Sequence, residues 1–316
     1  MTSFTERLEQ YLAFRRRLGG DWTAAAQDLR PFVVYADTEA AEWISVDLFI
    51  GWKSEFGSAG TATWNNRLTS VRGFTAWLKD IDPRTEVPPK ELIPRRYQRP
   101  TPHIYSDIEI AQILTEAAQL TSRLGLRGKT YATLFGLLAV TGLRIGEALG
   151  LDDRDVDLEA AVLFVRRGKN DKSRFIPVTD CTAERLGQYR AARSRIFGTA
   201  ATAAFFVGEN GQRLEIHAAQ SNFAKICQKI GLREKQPGTK FGRGPRLHDM
   251  RHTMASKTIL DWFRSGRSPD REMYKLSTYL GHANPGGTYW YIEAVPELLS
   301  LASERAEQCF EDGGAS

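Results

Sequence analysis

The stretch from Ile81 to His103 carries six prolines, Pro83, Pro88, Pro89, Pro94, Pro100 and Pro102. Proline lacks a backbone N–H and fixes φ, so this stretch cannot be helical, and each preceding residue is pushed toward extended backbone. The chain must therefore fold as two parts joined here. The boundaries read as an N-terminal domain over 1–82, a linker over 83–104, a second domain over 105–310 and a disordered tail over 311–316. A length of 316 residues agrees, because single cores rarely grow beyond about 250–300 residues.

The first part reads as all helix. Ser3 with Glu6 fits a capping box ahead of Leu8, Tyr11 and Leu12 at helical spacing. Trp22 to Tyr35 is amphipathic. Ser45 can cap a third helix bearing Val46, Phe49, Ile50 and Trp52. Thr61 opens a fourth, with Leu68, Val71, Phe74, Trp77 and Leu78 as its apolar stripe and Arg67 and Arg72 on its other side. A bundle of four or five helices without strands is expected.

The second part mixes helices with one hairpin. Ser106 and Glu109 form another capping box before Ile110, Ile113 and Leu114. Thr130 to Thr141 is apolar all round and should be buried, with Gly142 as a left-handed cap. A short helix follows over 145–149. Runs rich in Val, Phe and Ile at 160–166 and 174–178 flank the polar turn GKNDKS and predict a β-hairpin. Helices are expected at 183–196, 218–230, 246–263 and 271–280, the last closed by Gly281, and an amphipathic one at 297–310. Between two of them, residues 231–244 form a loop rich in Gly, Lys and Arg.

The three cysteines, Cys181, Cys227 and Cys309, are odd in number, far apart and without a C-x-x-C pair. A disulfide framework and a cysteine zinc site are both disfavoured, and a reduced cytoplasm fits. The longest apolar run, Tyr131 to Leu143, falls short of the about 20 residues that span a bilayer. No membrane association is expected. A net charge of +5 permits nucleic acid as partner without establishing it.

Chemistry concentrates in a few side chains. His248 and Arg251 are three apart on one predicted helix. His282 follows a glycine-capped helix end, Arg144 follows the Thr141-Gly142-Leu143 turn, Lys169 sits at the hairpin tip, and Tyr291 lies in TYWYIE. Each alone has a structural use: Arg144 can pair with Glu147, Lys169 can be an exposed turn residue, and Tyr291 can be core. His248 and His252 are spaced as in zinc helices, but Asp249 stands where the metalloprotease pattern needs glutamate. No metal site is read here. Together the residues are strongly cationic, without paired carboxylates or a P-loop. Fixed cations suit a phosphate whose negative charge grows during displacement. A tyrosine can be the nucleophile if its proton is drawn off.

Four segments then match one family in order and spacing: TGLRIGEAL at 141–149, GKNDKSRFIPV at 168–178, RLHDMRHT at 246–253 and LGHANPGGTYWYI at 280–292. The chain resembles the tyrosine recombinases, or phage-type integrases, closely over about 105–295 and more loosely before it. The resemblance implies a mainly α fold of two domains: an N-terminal, SAM-like core-binding bundle and an α+β catalytic domain with a small antiparallel sheet. It implies a catalytic set of Arg144, Lys169, His248, Arg251, His282 and Tyr291, with Glu147 orienting from behind. Tyr289 and Lys172 stand as rivals for Tyr291 and Lys169, and Ala283 and NPGGT depart from the family's usual residues after L-G-H.

The implied reaction is cleavage and rejoining of duplex DNA through a 3′-phosphotyrosyl intermediate, with no cofactor and no metal. The implied assembly is a homotetramer on DNA, a monomer in solution being left open, with the 297–310 helix docked in cis or in trans. Arg67, Arg72, Arg95, Arg96, Arg99, Lys235, Lys240 and Arg243 are candidate DNA contacts. The late TYWYIEAVPELL segment points to integration or transposition of a mobile element. Rival readings are a type IB topoisomerase, a non-catalytic DNA-binding protein, and a small-molecule enzyme with a basic phosphate pocket.

Overall fold

The computed structural model describes residues 3–19, 22–57, 59–94, 101–166, 173–198, 202–236, 242–281 and 291. The chain divides into two compact units, 1–100 and 101–316.

Among the described residues, four helices build the first unit: α1 (Phe4–Arg17), α2 (Thr23–Thr38), α3 (Val46–Glu55) and α4 (Thr61–Lys79). The Ser3–Glu6 capping box starts α1, and the Ser45 hydroxyl accepts from the Leu48 N–H at the start of α3. The core is aromatic. Trp52 and Trp64 meet edge to face at 5.0 Å, and Phe32, Phe49 and Phe74 are buried around them. Such pairs add about 0.5–1.5 kcal/mol to the burial of their area.

The proline segment departs from the linker expected over 83–104. Thr85 and Ile93 are buried, and the Ile44 carbonyl accepts from Glu86 N–H at 2.8 Å. Glu86 Oε2 accepts from the Val46 N–H at 2.7 Å, and Arg72 donates to the Pro88 carbonyl. Prolines forbid helix here but do not forbid packing: residues 83–94 belong to the first unit. At the other end, Pro102 is buried and His103 pairs with Glu109 in the second unit.

The second unit holds α5 (Asp107–Ala118), α6 (Arg127–Thr141), α7 (Ile145–Gly150), the strands β1 (Val156–Asp157), β2 (Val162–Val165) and β3 (Arg174–Pro177), then α8 (Asp180–Phe197), α9 (Ile216–Lys229), α10 (Asp249–Arg264) and α11 (Pro269–Leu280). The strands form one antiparallel sheet in the order β1-β2-β3, with Leu163 opposite Ile176 and Phe164 opposite Phe175. β1 was not expected from the sequence, because two residues carry no period.

Helix α6 is the central buried rod. Leu134 and Phe135 are fully buried, α6 packs on α5, α8 and α10, and the Phe135 ring meets Phe223 of α9 at 5.4 Å. Gly128 lets α6 approach α5, since a Cβ there would lie 2.2 Å from the Ala118 carbonyl oxygen. Gly142 closes α6 at φ 61° and Gly281 closes α11 at φ 67°. These left-handed caps turn the chain within one residue, and both turns lie at the site described next. Cys181 is an exposed free thiol. Burial pushes the Cys227 thiol up to about 12. Cys309, the 297–310 helix and the tail lie outside the described residues. No described helix is long and apolar enough to cross a membrane.

Candidate active site

The ends of α6 and α11 leave backbone carbonyls without helical partners, as every helix C-terminus does. Arginines take them. Arg251, on the first turns of α10, donates from Nη1 to the Gly142 carbonyl at 2.7 Å and from Nη2 to the Leu280 carbonyl at 2.6 Å. It is buried, and burial drives its pKa down.

Arg144 sits at the N-cap of α7. Its Nη1 donates to Glu147 Oε1 at 2.8 Å, its backbone N–H donates to Glu147 Oε2 at 3.0 Å, and its Nη2 makes a longer 3.3 Å bond to the Gly281 carbonyl. The predicted Arg144–Glu147 pairing is thus present. Glu147 has a second and stronger partner, Arg174 at the start of β3. Arg174 donates from Nη1 and Nη2 to the two carboxylate oxygens at 3.1 and 2.9 Å, and from Nε to the Tyr279 carbonyl at 2.7 Å. Burial alone would raise the Glu147 carboxyl, but the hydrogen bonds from Arg174 and from the Arg144 backbone outweigh it and hold it below the usual carboxylate range.

His248 occupies the N-cap position of α10 and is exposed. Its ring meets His252 edge to face at 4.9 Å, and His252 in turn meets the Tyr291 ring at 5.3 Å. Crowded surroundings push the His248 pKa below its ordinary value, and Arg251, Arg246 and Arg144 push it the same way against Asp249. His248 is therefore neutral near pH 7 and able to accept a proton. Tyr291 is buried in the cluster of Ala255, Ile259, Trp262, Met273, Leu276 and Leu280.

The structure thus brings Arg144, Glu147, His248, Arg251 and Tyr291 to the junction of α6, α7, α10 and α11. Lys169, its rival Lys172, His282 and Tyr289 lie outside the described residues. Among the DNA-contact candidates, Arg67 lies over the Trp64 ring at 4.6 Å, and Arg72 is held by Pro88. Lys235 and Arg243 are exposed on the two arms of one loop, next to the Glu234–Arg243 bridge. Arg95, Arg96, Arg99 and Lys240 lie outside the described residues.

Two neighbours were missed as site residues, Arg174 and His252. Arg174 left a signal. In a strand, residues two apart share a face, so Arg174 shares its face with the buried Ile176 while Phe175 points out at 69% exposure. An arginine on an inward face needs a carboxylate.

Comparison with known proteins agrees with this architecture. The phage integrase family model matches residues 106–297. The chain is 36% identical over 316 residues to the putative integrase/recombinase y4rB of Sinorhizobium fredii, covering 99% of each chain. It is 29% identical to the tyrosine recombinase XerC of Rhodospirillum centenum, over 97% of this chain and 80% of that one. Two solved structures share the fold. One is the Tn1549 transposon integrase in complex with transposon right end DNA, at TM-score 0.67 and 17% identity, covering 98% of this chain and 99% of that one. The other is the XerH site-specific recombinase in a post-cleavage complex with a palindromic difH substrate, at TM-score 0.64 and 19% identity, covering 90% and 79%. The architecture is that of the tyrosine recombinases. The chain belongs to the phage integrase family and is a DNA strand-exchange enzyme.

Proposed function

We propose that the protein cleaves and rejoins duplex DNA by attack of Tyr291 on a scissile phosphate. The Tyr291 oxygen forms a bond to phosphorus, the bond to the 5′-oxygen breaks, and a 3′-phosphotyrosyl link and a 5′-hydroxyl result. Arg144 binds the non-bridging oxygens through its fork, and Arg251 adds the N–H groups that its two carbonyl bonds leave over. His248 accepts the tyrosine proton, Lys169 supplies the proton to the leaving oxygen, and His282 bonds the phosphate. The 5′-hydroxyl of a partner strand then reverses the attack, so the bond energy is conserved without ATP.

The observation that supports this reading is that Tyr291 packs in one cluster with Leu280, whose carbonyl Arg251 binds, while Arg144 binds the carbonyl of the next residue, Gly281. It puts the candidate nucleophile beside the group that would hold its target. The setting we favour is integration or transposition of a mobile element in the cytoplasm, by a homotetramer on DNA. The integrase relative and the fold shared with a transposon integrase support it.

The test is covalent trapping. Duplexes from the gene's own flanks, nicked so that the cleaved strand diffuses away, are mixed with wild type and Tyr291→Phe, and adducts are read on a denaturing gel. Adducts with wild type only are expected. Adducts that persist in Tyr291→Phe move the nucleophile to Tyr289. Binding without adducts on any flank favours a binding-only protein.

A further inference from the structure

Arg174 and Arg144 share Glu147 unequally. Arg174 spends all three of its donor nitrogens, two on the carboxylate and one on Tyr279, and its side chain is 11% exposed. Arg144 gives the carboxylate one side-chain bond, keeps only a 3.3 Å bond with its other nitrogen, and is 26% exposed. A bidentate arginine satisfies a carboxylate in both charge and geometry. Glu147 therefore keeps a full partner when Arg144 turns away. Without Arg174, the same turn would strand a buried carboxylate, which is costly, and a DNA phosphate would have to compete with Glu147 for the Arg144 fork. The local packing guards this arrangement: a Cβ on Gly281 would lie 2.8 Å from Arg174 Nη1.

We propose that Arg174 is a positioning residue that takes up the charge of Glu147, so that Arg144 is free for the scissile phosphate, while its Nε bond fixes the end of α11. The proposal rests on the reading of Arg144 as a phosphate ligand.

Adduct formation on the nicked flank duplex, at saturating protein, tests it in wild type, Arg174→Gln, Arg174→Lys, Glu147→Gln and the double variant Arg174→Gln/Glu147→Gln. Arg174→Gln should slow the reaction about tenfold, short of the loss from deleting a direct phosphate donor. Arg174→Lys, which keeps charge but not the fork, should fall between. Adding Glu147→Gln to Arg174→Gln should restore most of the rate, because the competing carboxylate is gone. For the same reason, the deficit of Arg174→Gln relative to wild type should shrink as pH falls and Glu147 takes up a proton. A purely structural arginine predicts neither the rescue nor the pH dependence. An Arg174→Gln enzyme that reacts as fast as wild type overturns the proposal alone, as does a deficit that is constant with pH and not relieved in the double variant. A wild type that forms no adduct overturns the site reading and the proposal with it. If thermal melting shows Arg174→Gln unfolded, Arg174→Lys against Arg174→Lys/Glu147→Gln carries the same rescue test.

Discussion

Among the described residues of the second unit, two of the arginine–carboxylate clusters are built from the same parts. In one, Arg190 and Arg193 converge on Asp153. Arg193 donates to the Ala204 and Phe205 carbonyls at 2.8 and 3.0 Å and to Asp153 at 2.7 Å, and Arg190 donates to Asp153 and to the Asp153 and Val156 carbonyls. In the other, Arg144 and Arg174 converge on Glu147, with Arg251 on the neighbouring carbonyls. The first cluster closes on itself: Arg193 is buried and its donors meet loop carbonyls that need them. The second leaves the Arg144 fork with one carboxylate bond at 2.8 Å and a longer carbonyl bond at 3.3 Å. Burial and ion pairing do not separate a structural arginine cluster from a reactive one. What sets the second cluster apart is the one loosely held fork, that of Arg144.

The comparison breaks most sharply if both clusters are truncated. Arg251→Ala should lower the rate of adduct formation by about 10²–10³, the cost of losing one donor to a developing oxyanion. Single-turnover rates on the nicked duplex measure it, and a loss under tenfold would return Arg251 to a packing role. Arg193→Ala should act on folding instead. It should cost about 2–3 kcal/mol, as for buried hydrogen bonds to a charged group, with the rate per folded molecule unchanged. Denaturant titration beside the same rate assay decides it.

Protonation sharpens the contrast. His248 has its pKa held below the ordinary histidine value, so it is neutral above that range and cationic only in more acid solution. If it accepts the tyrosine proton, the adduct rate should rise with pH, about tenfold per unit on the acid limb, and level off below pH 6.5. In His248→Gln the limb should vanish. A limb that persists there belongs to another group.

Much of this arrangement was legible in the sequence because punctuation residues act locally. Ser3, Ser45 and Ser106 cap the helices they were expected to cap, Gly142 takes the left-handed conformation expected of it, and Gly281 closes its helix as expected. Arg144 with Glu147, and His248 with Arg251, are three residues apart, so the helix period alone brings each pair together. What could not be read depends on distant chain. Arg174 reaches Glu147 across 27 residues and Tyr279 across 105, and no local period encodes either contact. The proline segment shows the same limit from the other side. Its composition states which backbone is forbidden, whereas its packing depends on Ile44 and Arg72 far upstream.

The smallest effect tests whether the reactive cluster also stabilises the fold. Glu147 has its pKa held below the usual carboxylate range, so it contributes stability that is present above that range and is lost as pH falls through its folded-state value. Replacing it by glutamine should therefore lower the melting temperature at pH 7, where the carboxylate is charged in both folded and unfolded chains. The difference from wild type should narrow as the solution is acidified below the carboxylate range. About 1 kcal/mol is the scale expected of a partly buried charged pair that keeps hydrogen bonds after substitution. Melting curves of wild type and Glu147→Gln across that range check the sign. A difference that stays constant with pH would mean that the substitution acts through packing, and that Arg174 and Arg144 draw no folding energy from the Glu147 charge.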